Sequence, residues 1–150
     1  MTDRSPILVD KRLESLRELA LRMGHLAEAI LAKSLRAVWE RNADLAQQVR
    51  EDDLEIDRLD VLIDQAVLEL LALQAPVARD LRQVIAIKTM AMDLERVGDL
   101  ARNIAKSAIR LRERTRIPMP PLLLTLADDS QRLLANALAA FADRDAERAR

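Results

Sequence analysis

Cysteine is missing from this chain, which excludes disulfides, zinc knuckles and thiol catalysis. One histidine, His25, cannot build a histidine-rich metal site or a catalytic triad with partners of its own kind. Tyrosine is absent, and Trp39 and Phe141 are the sole aromatics. Glycine occurs only twice. A chain so poor in aromatics and glycine, and so rich in Leu, Ala, Arg and Glu, builds long helices rather than sheets. Charged residues make up 33% of it, yet the formal net charge is -1, so no global field draws it to nucleic acid or to an anionic membrane. No run is long and apolar enough to span a bilayer, and the N-terminus lacks the hydrophobic stretch of a signal peptide. The expected setting is the cytoplasm, with no nucleic-acid partner.

Hydrophobic spacing divides the rest. Residues 1–8 read as a flexible arm. A first helix is predicted from Val9 to Arg41, with its apolar seam at Val9, Leu13, Leu16, Ala20, Met23, Ala27 and Ile30. Asn42-Ala43-Asp44 reads as a turn, with Asp44 or Asn42 as the N-cap of a second helix ending near Leu73. That helix has a seam at Leu45, Val49, Ile56, Leu59, Ile63, Ala66, Leu70 and Leu73, with a gap at Asp52/Asp53. Pro76 suits the first turn of a third helix reaching Arg114. Pro118, Pro120 and Pro121 then break the pattern. A fourth helix is predicted from Leu122 to Phe141, with a stripe at Leu122, Leu126, Leu133, Ala137 and Phe141. The fold class is therefore all-α: an antiparallel three-helix bundle, up-down-up, over residues 9–116. Residues 117–150 form a linker and the first helix of a second, incomplete bundle. A weak internal repeat agrees: residues 35–46 resemble residues 138–149.

The chemistry concentrates in carboxylates. Asp53 and Asp57 are four apart, as are Glu95 and Asp99, so each pair shares a helical face. Helices two and three turn around residue 75, so Asp53 falls level with about residue 97 and Asp57 with about residue 93. Both pairs therefore meet at one height. Asp60 and Asp64 continue the row on helix two, and Asn103 extends it on helix three. Gly98 costs about 1 kcal/mol relative to Ala inside a helix, and its missing side chain admits a close neighbour. Oxygen-only ligands suit hard cations such as Mg²⁺, Mn²⁺ or iron, whereas zinc usually recruits His or Cys. The competing reading is a solvated acidic face paired with nearby bases, and Arg102 and Lys88 lie within reach of Glu95.

Other residues read as structural. His25 belongs on a helix surface, Trp39 plugs a helix end, and Met23, Met90 and Met92 fill the core. The basic run from Arg102 to Arg116 suits a solvated helix C-terminus. A ferritin-like metalloenzyme would need a Glu-x-x-His pair on each of two helices, and no such pair exists. No nucleophile–base pair or phosphate-cradling loop appears, so no enzymatic activity is expected. A helical adaptor without metal remains open.

Ala78-Arg-Asp-Leu-Arg82, followed by Asp93-Leu-Glu-Arg-Val-Gly-Asp-Leu-Ala-Arg-Asn-Ile-Ala105, resembles the signature of the PhoU family. The similarity extends back through Asp53-x-x-Ile-Asp57 and across residues 9–142. The resemblance implies two tandem three-helix bundles, each with metal-binding Glu/Asp-x-x-x-Asp motifs. By that correspondence Glu95 and Asp99 are the motif acids of the first bundle, and Asp53 and Asp57 those of its preceding helix. The implied cofactor is a metal ion: Fe, Mn, Mg or Zn. The implied role is negative regulation of phosphate uptake and of the phosphate-starvation response. The implied partners are the ATPase subunit of the phosphate ABC transporter, a phosphate-sensing histidine kinase and a second copy of the chain. Contact with the membrane is then peripheral, through the transporter.

Overall fold

The computed structural model describes residues 6–115 and 118–149. Among these, all regular structure is helical: α1 (Pro6–Glu40), α2 (Ala43–Gln74), α3 (Ala78–Arg112) and α4 (Pro121–Asp143). α1 starts at Pro6, earlier than Val9. Proline suits a first helical turn, because its missing N–H would be unpaired there anyway. Most of the expected arm, and the expected boundary at residues 116 and 117, lie outside the described residues.

Each of α1, α2 and α3 packs on the other two, which makes a three-helix bundle. Ion pairs give the direction: Arg22 with Glu55 and Lys33 with Asp52 run α2 antiparallel to α1. The core holds Leu16, Met23 and Ile30 of α1, Val49, Ile56, Leu59, Ile63 and Leu70 of α2, and Val84, Ile87, Ala91 and Leu94 of α3. Burying each large aliphatic side chain stabilises the fold by about 1.5–3 kcal/mol. The far half of α3 contributes Ala101, Ala105 and Ala108, whose small side chains bring the helices close. The seam of α2 has no gap where one was expected. Asp53 itself occupies the inward position and is 2% exposed.

The turns follow local chemistry. The Asn42 side chain accepts from the backbone N–H groups of Asp44 and Leu45 at 3.0 and 3.1 Å, so Asn42 is the N-cap of α2. At the second turn Pro76 stands outside α3, which begins two residues later. Proline disfavours the right-handed helical region for the residue before it. Ala75 takes a left-handed conformation, φ 43°, and closes α2, while Val77 is extended.

α4 lies along α1 and, among the described residues, packs on no other helix. Ala127, Leu138 and Ala140 are its buried residues. Leu138 presses against Gly24, where an added Cβ would collide with its methyl groups. The leucine stripe is the outer one. Leu122, Leu126 and Leu133 are 79, 60 and 68% exposed, and only Phe141 of the predicted stripe packs on the core. Arg17 of α1 and Arg41, in the turn just after it, close the ends of other helices. Arg17 Nη2 donates to the carbonyls of Phe141, at 3.0 Å, and Ala142, with its guanidinium 5.5 Å from the Phe141 ring centre. Arg41 Nη1 donates to the carbonyls of Leu111 and Arg114 at 2.9 and 2.7 Å. Each guanidinium meets carbonyls at or just past a helix C-terminus, where the negative end of the helix dipole favours a cation.

Candidate metal site

The hairpin register places the acids as the spacing predicts. An added Cβ on Gly98 would stand 2.7 Å from Asp53 Oδ1 and 3.0 Å from Ile56 Cδ1, so Asp53 lies against Gly98, between Glu95 and Asp99 in height. Glycine is needed here because any side chain would displace that carboxylate. The seam between α2 and α3 thus carries Asp53, Asp57, Asp60 and Asp64 on one bank and Glu95 and Asp99 on the other.

Its charges are unevenly answered. Arg102 bridges the banks: Nη1 donates to Asp53 Oδ2 at 2.6 Å, and Nη2 donates to Asp99 Oδ1. Lys88 donates to Asp60 Oδ1 at 3.1 Å and to Asp64. Burial works against the Lys88 ammonium, but these two carboxylates outweigh it and hold its pKa above the usual lysine value. Neither base reaches Glu95, although both are near it in sequence. Burial first, then the carboxylates of Asp99, Asp57, Asp60 and Asp53, push Glu95 above the ordinary carboxylate range. Burial also raises Asp53, opposed by Arg102 and reinforced by Asp57 and Asp99. Asp57 is exposed at the rim.

The donor set is all oxygen, the choice of a hard cation. Its present arrangement is not a cage. Among the described residues, no group of three or more His, Cys, Asp or Glu stands close enough to hold a metal ion. Arg102 stands between Asp53 and Asp99 and pairs with both. The paired-face reading therefore describes Asp53 and Asp99, while Glu95 is left among like charges with no base beside it.

Arg102 is the residue that sequence reasoning placed on the wrong partner. Its spacing of three from Asp99 on one helix was the available signal; its reach to Asp53 follows only from the hairpin register. Asn103 is exposed beyond the seam. His25 is exposed on α1, with Nδ1 3.2 Å from Glu28 Oε2, remote from these acids. Met23 is core and Met90 packs against it, but Met92 is 54% exposed and fills no core position.

Comparison with known proteins agrees with this architecture. The PhoU domain sequence model matches residues 20–108. A phosphate-specific transport system accessory protein PhoU homolog from Zymomonas mobilis is 37% identical over 140 residues, covering 93% of this chain and 59% of the relative. The accessory protein PhoU of Escherichia coli is 33% identical over 137 residues, covering 91% of this chain and 57% of its own. The crystal structure of PhoU from Pseudomonas aeruginosa superposes with a TM-score of 0.88 at 36% identity, covering 93% of this chain and 67% of that one. The phosphate transport system regulatory protein PhoU from Streptococcus pneumoniae gives 0.85 at 31% identity, covering 93% and 66%. The chain spans little more than half the length of the curated relatives it matches. Its bundle, its signature acids and these likenesses agree: the chain belongs to the PhoU family.

Proposed function

We propose that this protein is a non-enzymatic negative regulator of phosphate uptake and of the phosphate-starvation response. It works in the cytoplasm through contacts with the ATPase subunit of a phosphate ABC transporter and with a phosphate-sensing histidine kinase. Support comes from the names of its relatives, accessory proteins of phosphate-specific transport. In this reading α4 is the first helix of a second bundle. Its outward leucines, Leu122, Leu126 and Leu133, are apolar surface that seeks cover, and a second copy of the chain supplies it.

The same reading assigns Asp53, Asp57, Glu95 and Asp99 to a metal ion: Fe, Mn, Mg or Zn. The observation that carries it is Glu95, a part-buried carboxylate among carboxylates with no base answering it. A bound cation would supply the missing charge, and Arg102 is the group it must displace from Asp53 and Asp99. The metal-free adaptor is the second reading, and the Arg102 bridge favours it.

Titrating Mn²⁺ against the wild type and the Glu95→Ala/Asp99→Ala double variant separates the two. Binding in the wild type that is lost in the variant upholds the site. Equal stoichiometry in both, by elemental analysis, removes it. Regulation is tested in cells lacking their own PhoU-type regulator. Restored repression of a starvation reporter in high phosphate is the expected result, and constitutive expression would refute it.

A further inference from the structure

We propose that the outer face of the α2–α3 hairpin docks a basic amphipathic helix of a partner protein. Apolar surface in water is the starting observation. On α2, Leu54, Val61 and Leu68 recur at every seventh residue and are 54, 55 and 67% exposed. On α3, Ile85 and Met92 keep the same spacing and are 56 and 54% exposed. That spacing holds each row on one side of its helix. The register fixed by Lys88 against Asp60 and by Gly98 against Asp53 interleaves the rows: Ile85, Val61, Met92 and Leu54 stand at successive heights. One row therefore lies on each bank of the carboxylate seam. The chain's own fourth helix does not cover this face, since among the described residues α4 packs on α1 alone.

Charge decides what fits. Between the rows, carboxylates outnumber the two bases of the seam, Lys88 and Arg102, and Glu95 and Asp57 have neither as a partner. Arg58 turns away to Glu55. A helix with a single line of Lys and Arg bordered by apolar side chains would meet the seam with charge and the banks with apolar contact. An acidic or wholly apolar helix would dehydrate carboxylates and leave them unanswered. This surface goes beyond the metal reading; its charge argument is that of the metal-free seam, so the binding test is run without added metal ions.

The probe is a synthetic helix of about 20 residues with one Lys/Arg line between two leucine rows, long enough to span the seam. A control peptide has Glu in place of the bases. Fluorescence anisotropy against the full chain should show the basic peptide binding and the acidic one not. Val61→Glu with Met92→Glu should weaken binding at least about tenfold, as expected for truncating two central anchors. Charge alone predicts the opposite, because two added acids would tighten a basic ligand. Leu124→Glu on α4 should change nothing. Equal binding of the two peptides, tighter binding to the double variant, or loss through Leu124→Glu would each overturn the proposal. If the glutamates cost helicity by circular dichroism, Val61→Ser with Met92→Ser gives the same reading: weaker binding supports the surface and unchanged binding refutes it.

Discussion

Gly24 and Gly98 each mark a place where another helix presses in, but different groups press. At Gly24 it is the Leu138 side chain of α4; at Gly98 it is the Asp53 carboxylate with Ile56 of α2. The first contact is apolar on both sides and asks for nothing more. The second brings a charge into the interior, so it needs Arg102 to answer it. The same omission of a side chain serves packing in one seam and electrostatics in the other. The second seam, with its buried charge, has the stronger reason to respond to pH or to cations.

The largest effect should separate the seams by removing that answer. Arg102→Ala leaves Asp53 buried and unpaired, and should cost about 2–3 kcal/mol in urea denaturation at neutral pH. The loss should shrink in acid, as Asp53 takes up a proton. A change below about 0.5 kcal/mol would mean that water already answers the charge.

Filling the two glycines sharpens the contrast. In Gly98→Ala the new methyl meets Asp53 Oδ1 at 2.7 Å, and Asp53 is pinned by Arg102. A gain of about 1 kcal/mol in helix propensity then competes with about 1–3 kcal/mol of overpacking, so a net loss of about 1 kcal/mol is expected in the urea midpoint. Gly24→Ala meets only the methyl end of Leu138, which can turn aside. The bundle should keep the propensity gain while α4 loosens. Hydrogen exchange should show faster amides in α4 with no lowering of the global midpoint; equal loosening everywhere would erase the distinction between the seams.

The smallest effect concerns Glu95. Its pKa is raised on folding, so the folded state holds its proton more tightly than the unfolded chain does. The stability this contributes is present below the ordinary carboxylate pKa and is lost as pH rises through the folded value. Glu95→Gln should therefore raise Tm by about 1–3 °C near neutrality, with the gap closing in acid. A gap that widens in acid would reverse the assignment.

How much of this the sequence disclosed depends on whether local spacing or tertiary contact decided it. Asp53 opposite Gly98 was legible, because a short turn between two continuous helices fixes the register. Side-chain chemistry narrowed the cap to Asp44 or Asn42, and the backbone conformation decided for Asn42. The packing face of α4 was not. That helix carries leucines on more than one side, and spacing alone cannot say whether Leu126 or Leu138 turns inward. The deciding signal was a glycine on a different helix, Gly24, that reads as unremarkable until α4 is laid against it. Arg102 was hidden for a related reason: a long flexible side chain picks its partner across helices. Met92 stands one residue off the inward run of Val84, Ile87, Ala91 and Leu94, and so faces outward.

Arg17 and Arg41 have a consequence for the order in which the protein assembles. Arg41 reaches a carbonyl 70 residues away, and Arg17 reaches carbonyls 124 and 125 residues away. Contacts of such span form late, since the intervening chain must first be organised. The α2–α3 hairpin, joined by a three-residue connection, needs no such wait. The two hairpins of the bundle, with connections of two and three residues, are thus expected to form early, and the long-range clasps of Arg17 and Arg41 after them. Run in reverse, the sequence begins at Arg17: α4 lets go as a unit while the three older helices stay together.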